Sequence, residues 1–211
     1  LCEAPGGFLY AAVQTFGCQW RASSLVGGAG VPCFHKLVRT LPNGRLVQAP
    51  SGGDVRLPEV RAFICRQCDE PVDLITADGA FDNEHDHANE ELNSLPLFES
   101  QIRVALAVQA KDGTFILKIF DGCLLRTHEL IALLRLCYQC VAIVKPVSSR
   151  SVNSERYVVC TQFVGVPTGI DCETLQVPLR DDWRQHIADV LCDFADAQCQ
   201  AIKLVLEPSE A

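Results

Sequence analysis

The sequence predicts an α/β fold, a sheet whose strands alternate with helices and which carries an antiparallel hairpin at one edge. Two observations predict it. From residue 72 onwards, short apolar runs alternate with stretches of helical spacing, the pattern of strand–helix–strand units. The last two runs, 140–145 and 155–163, are separated only by 146–154, too few residues for a crossover helix, so they pair as antiparallel neighbours. Composition agrees: 211 residues, 48% hydrophobic and 21% charged, supply enough apolar side chains for one substantial core.

Each element has its own signal. Pro5, Gly6 and Gly7 form a Gly-rich turn into a helix marked by Phe8, Leu9, Ala12, Val13 and Phe16, with Gly17 as its stop. Residues 20–25 read as a short strand, and 26–53, rich in Gly and Pro, as mostly loop. The run 72–77 is a buried strand ending at Asp78 and Gly79, and the polar run 83–93 reads as a surface loop. Ser94 caps the next helix, with Pro96 in its first turn, Phe98, Ile102, Ala105 and Leu106 on one face, and Gly113 beyond its end. A strand over 114–120 follows. Thr127 caps a helix through Cys137, and the two hairpin strands flank the loop 146–154. After Gly165 the character changes to a Pro- and Gly-containing loop and a helix striped by Trp183, Ile187, Val190, Leu191 and Phe194. The expected division is a core over 1–165 and a partly helical C-terminal extension over 166–211.

Several function classes are disfavoured. Twelve cysteines would suggest disulfides in a short secreted chain, but most lie in apolar segments and no secretory signal precedes them, so they read as reduced core residues. Cys65 with Cys68 and Cys137 with Cys140 have zinc-like spacing, yet the second pair straddles a helix end and a strand, and no metal site is expected. The longest apolar stretch, 130–144, is interrupted by Arg135 and Gln139 and is too short for a membrane span. A net charge of −8 works against a general nucleic-acid surface, so any RNA contact must be local. The chain has no methionine and opens directly on the Gly-rich turn, which reads as a segment of a longer protein.

Four places carry chemistry. A Gly-rich turn lets a ligand approach the backbone while the helix behind it offers free N–H groups. It lacks the G-x-G-x-x-G pattern and no acidic residue follows between Trp20 and Pro32, so a dinucleotide is disfavoured. Lys118 is surrounded by apolar neighbours on its strand, a costly placement unless the ammonium is paired or used. Asp78 stands at the C-terminal end of a strand, where open α/β sheets bind ligands. Glu155 begins the last strand beside Arg156; read alone, these two make an ordinary exposed ion pair.

Taken together, four ordered blocks resemble the signatures of FtsJ-like ribose 2′-O-methyltransferases. They are Leu1-Cys2-Glu3-Ala4-Pro5-Gly6-Gly7-Phe8, the run from Asp73 through Asp78-Gly79-Ala80-Phe81-Asp82, the run from Gly113 through Lys118 to Asp121, and the run from Lys145-Pro146 through Ser154-Glu155-Arg156-Tyr157 to Cys160. The second and fourth look most like the cap-specific, Adrift-type branch, which includes viral members. The resemblance covers residues 1 to about 163 and implies a Rossmann-like class I methyltransferase sheet with helices on both faces, here missing its first strand and helix. It implies a Lys-Asp-Lys-Glu tetrad whose last three members match Asp78, Lys118 and Glu155; the first lysine belongs upstream of the Gly-rich block. It further implies S-adenosylmethionine as cofactor, held by Glu3, Ala4, Pro5, Gly6, Gly7 and Phe8, with Asp54 meeting the adenine and Asp78 close to the reacting group.

The expected reaction is methyl transfer to a ribose 2′-hydroxyl, with Lys118 as the base and Asp78 and Glu155 orienting its ammonium. Cap-adjacent nucleotides of mRNA, cellular or viral, are the preferred substrate, with ribosomal or transfer RNA as the alternative. Lys36, Lys145, Arg150 and Arg156 are the expected RNA phosphate contacts. Other domains of a polyprotein or of a capping complex are the expected protein partners, in the cytoplasm or the nucleus rather than outside the cell. A rival from another class is a non-catalytic methyltransferase-like module that binds RNA or protein.

Overall fold

In the computed structural model, which describes residues 1–26, 33–80 and 89–206, helix α1 (Gly7–Phe16) follows the Gly-rich turn and stops at Gly17. The φ of 60° at Gly17 lets its N–H close onto the Val13 carbonyl at 2.9 Å. Strand β1 (Trp20–Ala22), the single-turn helix α2 (Lys36–Arg39) and strand β2 (Gly44–Leu46) complete an N-terminal lobe, in which β1 and β2 pair in parallel. Leu9, Val13, Trp20, Ala22 and Val38 form its own small core. Gly44 is required there, because a Cβ would come within 2.3 Å of the Trp20 ring.

Helix α3 (Pro58–Arg66) lies in a stretch to which the apolar pattern assigns no element. Its signals are nonetheless ordinary ones: Pro58 in the first turn, Glu59 beside it, and Val60 and Ile64 one turn apart on the buried side. Strand β3 (Val72–Ala77) then leads to helix α4 (Glu90–Val108), strand β4 (Gln109–Phe120), helix α5 (Leu125–Cys137), strand β5 (Tyr138–Val144), strand β6 (Glu155–Phe163) and helix α6 (Asp181–Leu206).

The main sheet runs β3-β4-β6-β5, with β3 and β4 parallel and β6 antiparallel to both its neighbours. The expected hairpin forms, with β6 inserted between β4 and β5 and β5 on the edge. This insertion matters for chemistry, because it sets the N-terminal end of β6 beside the C-terminal end of β4, pairing Glu155 with Phe120 and Tyr157 with Lys118. The first residues lace the two sheets together. The Leu1 amino group donates to the Thr76 carbonyl at 2.6 Å, Asp78 N–H donates to the Leu1 carbonyl at 3.2 Å, and Glu3 N–H donates to the Ser23 carbonyl at 3.2 Å.

Two helix starts differ from expectation. α4 begins at Glu90, so 90–93 are helical rather than loop, while 83–88 of that polar run lie outside the described residues. Ser94 is therefore inside the helix and wholly buried, and Pro96 is interior. Thr127 lies within α5; instead of capping its own helix, its hydroxyl donates to the buried carboxylate of Glu91 on α4 at 2.5 Å. That same carboxylate accepts from Cys123 N–H and Leu124 N–H at 2.8 and 3.1 Å, so α4 caps α5.

Residues 166–206 pack into the main core. Leu175, Ile187 and Leu191 belong to the same apolar cluster as the strands. Arg103 on α4 and Arg126 on α5 donate to the carbonyls of Glu173 and Thr174 at 2.6 and 3.0 Å, holding the segment before α6 across both helices. Leu191 abuts Gly122, whose added Cβ would meet it at 2.7 Å. Further along α6, Gln198 Nε2 donates to the Val152 carbonyl at 3.2 Å, which ties the helix to the 146–154 loop.

Candidate active site

The site forms where parallel strands end and the inserted antiparallel strand begins. Asp78 is the first residue beyond β3, Lys118 is near the end of β4, and Glu155 opens β6, so all three share one end of the sheet. Lys118 Nζ lies 3.0 Å from Asp78 Oδ1. The lysine is 7% exposed, and its ammonium also lies 5.8 Å from the Phe120 ring centroid. The burial cost of a lone cation in an apolar strand is thus met by pairing. Asp78 is held a second time: the Tyr157 hydroxyl donates to the same Oδ1 at 3.2 Å. Burial, then the Asp78 and Glu155 carboxylates, push the Tyr157 phenol well above its ordinary value, which keeps it a donor. Glu155 Oε1 accepts from Ser149 Oγ at 3.1 Å, which anchors the 146–154 loop to the first residue of β6.

Tyr157 is the residue that sequence reasoning left unassigned. Its signal was present, since it lies two places after Glu155 and so on the same face of the strand. It also joins the Lys118–Asp78 pair to the Gly-rich turn, because its ring meets that of Phe8 with centroids 5.5 Å apart.

The turn itself is built from behind. Glu3 is 3% exposed; its Oε1 accepts from Leu9 N–H at 2.8 Å and its Oε2 from the Thr76 hydroxyl at 3.2 Å. Its carboxylate is spent inside the protein, and burial raises its pKa above the ordinary glutamate value. The Ala4–Pro5 peptide is cis, and Gly6 adopts φ 110° with Val38 so close that a Cβ would meet it at 2.4 Å. Gly7, in contrast, has nothing within 4 Å of where a Cβ would stand, which leaves open space at the start of α1. Open space beside a helix N-terminus, with Phe8 on one side and Asp78 on the other strand end, fits a small ligand that approaches the backbone closely.

Asp54 follows Gly53, which is pressed against the Ser24 carbonyl at the end of β1. Its carboxylate pairs with Arg56 at 2.7 Å, and the guanidinium holds the carboxyl below the usual carboxylate range. Cys2 lies within the electrostatic reach of Asp54, Lys118 and Asp78, and burial pushes its thiol up to about 11.

The four expected RNA contacts separate into two kinds. Lys36 on α2 and Arg150 in the 146–154 loop are exposed. Lys145 is not a free cation: its three N–H bonds go to the Asn153 carbonyl, Asn153 Oδ1 and the Glu155 carbonyl at 2.8, 2.7 and 3.0 Å, closing the loop. Arg156 is 2% exposed. Its guanidinium donates to the Asp121 carbonyl and lies 5.4 Å from the Phe194 ring of α6. The exposed ion pair expected for Arg156 is corrected by this packing: it faces away from Glu155, as successive residues of a strand do, and Phe194 of α6 packs against it. Among the described residues no cluster of three or more His, Cys, Asp or Glu is arranged to hold a metal, and all twelve cysteines are free. No described helix is long and apolar enough to cross a membrane.

Known proteins resemble this chain in sequence and in fold. Over 184 residues the chain is 33% identical to cap-specific mRNA (nucleoside-2′-O-)-methyltransferase 2 of Danio rerio, covering 77% of this chain and 24% of that one. It is 38% identical over 117 residues to cap-specific mRNA (nucleoside-2′-O-)-methyltransferase 1 of Trypanosoma brucei brucei, covering 54% of this chain and 32% of the relative. The chain thus spans a third or less of the length of these two relatives. Among solved structures, a ribosomal RNA methyltransferase from Plasmodium falciparum superposes with a TM-score of 0.51 at 19% identity over 78% of this chain and 84% of that one, a likeness of fold. The family model for FtsJ-like methyltransferases matches residues 1–163, from the Gly-rich turn through β6, and with that match the chain belongs to the FtsJ-like methyltransferase family.

Proposed function

We propose that the chain is the catalytic core of an S-adenosylmethionine-dependent RNA ribose 2′-O-methyltransferase acting on cap-adjacent nucleotides of mRNA. The observation that carries the reading is the buried Lys118 ammonium, paired to Asp78 at 3.0 Å and set at the sheet end beside an open Gly-rich turn. Substrate choice rests on the cap-specific relatives. The cofactor supplies an electrophilic methyl group. In this reading Gly6, Gly7 and Phe8 would meet its reacting end and Asp54 its adenine, while Glu3 holds the turn in shape.

Within this reading the bond from the ribose 2′-oxygen to the methyl carbon would form as the cofactor's sulfur–methyl bond breaks, and Lys118 Nζ, as the neutral amine, would take the hydroxyl proton and become the ammonium that Asp78 pairs. Asp78 and Tyr157 fix where Nζ stands, so that proton acceptance and in-line geometry coincide. Glu155 lines the same end of the sheet and, through Ser149, holds the loop that faces the substrate. Lys36 and Arg150 are the exposed cations available to RNA phosphates, whereas Lys145 and Arg156 serve the fold.

Transfer of labelled methyl to short capped and uncapped RNAs, with the product nucleotide mapped, tests the proposal in the full polypeptide. Label is expected on the ribose next to the cap, and Lys118→Ala is expected to lower kcat by 100-fold or more, about the weight of one general base. Label on a base, or equal transfer to uncapped RNA, overturns the reaction or the substrate respectively.

A further inference from the structure

From Ala4 through Gly53 the chain contains no Asp or Glu, although 26 acidic residues occur in the whole sequence. The same stretch holds Arg21, Lys36, Arg39 and Arg45. Charge is therefore segregated by lobe: the unit formed by α1, β1, α2 and β2 is cationic within an otherwise acidic protein. Two of its cations are committed, since Arg21 pairs with Asp69 at 2.7 Å and Arg45 donates to Gln67 at 3.1 Å. Lys36 and Arg39 have no carboxylate partner among the described residues, and both are exposed. Helix α6, by contrast, exposes Asp181, Asp182, Asp189, Asp193 and Asp196, a surface that repels a polyanion.

The position of α2 relates this cationic surface to the chemistry. His35 N–H donates to the Pro5 carbonyl at 3.0 Å, and the buried Val38 is packed against Gly6. The inner side of α2 is thus seated directly on the Gly-rich turn, which leaves positions 36, 37 and 39 facing outward. Tyr10 and Phe16 of α1, 41% and 69% exposed, add ring faces on the same lobe to which unpaired bases can stack irrespective of sequence.

We propose that α2, through Lys36 and Arg39, is a sequence-independent track for the RNA backbone that flanks the methylated nucleotide. The proposal rests on the RNA substrate inferred above and extends it by assigning the path of the strand outside the reacting residue. The track helps a protein of net charge −8 hold a polyanion, because the flanking backbone meets the one lobe without carboxylates.

The test is the double variant Lys36→Glu with Arg39→Glu in the full polypeptide, beside a control carrying Arg184→Glu and Lys203→Glu on α6. Both pairs are exposed, so thermal unfolding midpoints should match that of the unaltered protein. With a long capped RNA, the track variant should lose about tenfold or more in kcat/KM, and the slope of log affinity against log salt should flatten by roughly 2, one lost phosphate contact for each cation. The loss on a capped dinucleotide should be several-fold smaller, and the control should behave as the unaltered protein. Equal losses on long and short RNA, or no loss on either, would overturn the track. Anisotropy with the same labelled RNA reads binding separately from turnover: weaker binding by the track variant alone supports the track even if the unaltered protein transfers no methyl group, a result that would refute only the enzymatic reading. Displacement of the RNA by an acidic peptide at equal charge concentration would overturn it in favour of a protein ligand.

Discussion

At the scale of single residues, one carboxylate oxygen organises the chemistry. Asp78 Oδ1 receives both the Lys118 ammonium and the Tyr157 hydroxyl, so the lysine is positioned by a group that is itself positioned. Tyr157→Phe keeps the ring contact with Phe8 and removes only the donor; kcat should fall about fivefold to tenfold with the unfolding midpoint within a degree or two, about the worth of one hydrogen bond in the transition state. An unchanged kcat would show that Lys118 alone sets the Asp78 position. Glu3 gives a second prediction. Its pKa is raised by burial, so the folded protein favours the protonated form, and that contribution is fully present below the ordinary glutamate value and lost as pH rises through the raised one. Glu3→Gln should therefore gain stability relative to the unaltered protein over a pH range rising from the ordinary glutamate value of about 4.3, measured by unfolding midpoints. A difference that stays constant across that range would assign no titration to Glu3.

At the scale of elements, caps cross between helices. Glu91 of α4 satisfies two N–H groups and a hydroxyl at the start of α5, and Glu91→Ala should cost about 3 kcal/mol in chemical denaturation, because charged acceptors of buried donors are worth more than neutral ones. A loss below about 1 kcal/mol would mean that water replaces the carboxylate. The same contact explains why the helix starts were misread. Ser94 and Pro96 imitate a cap and a first turn, while the actual first turn, Glu90 and Glu91, sits in a polar run that reads as loop. Strands were more legible: Lys118 stood out as the one cation in an apolar run, and Asp78 as the residue closing another. Tyr157 did not, because tyrosine is an ordinary strand residue and only its partner marks it. Arg156 was misread because its cover, Phe194, arrives on a helix far along the chain, and no local pattern reports a tertiary lid.

At the scale of the whole molecule, the family match ends at residue 163 but the apolar core does not. Leu175, Ile187 and Leu191 come from beyond it, and two arginines of the matched region donate to carbonyls of the segment that follows. Removal of 166–211 should lower the unfolding midpoint by 10 degrees or more or leave the protein insoluble, and Leu191→Ala alone should cost about 3 kcal/mol. A truncated chain with an unchanged midpoint would make the segment an appendage. Alternation of strands and helices made the sheet readable from sequence, whereas its strand order, with β6 slipped between β4 and β5, depends on pairings that leave no periodic trace. The sharing of one core by matched and unmatched segments has a consequence for recombination. Arg156 lies beside Glu155 in sequence and against the Phe194 ring, so the proposed active centre and the tail are not separable cassettes. A graft of residues 1–163 onto another scaffold inherits the reacting groups together with an uncovered guanidinium and an apolar scar, and the new host must supply an aromatic lid of its own before the transplanted centre can hold its shape.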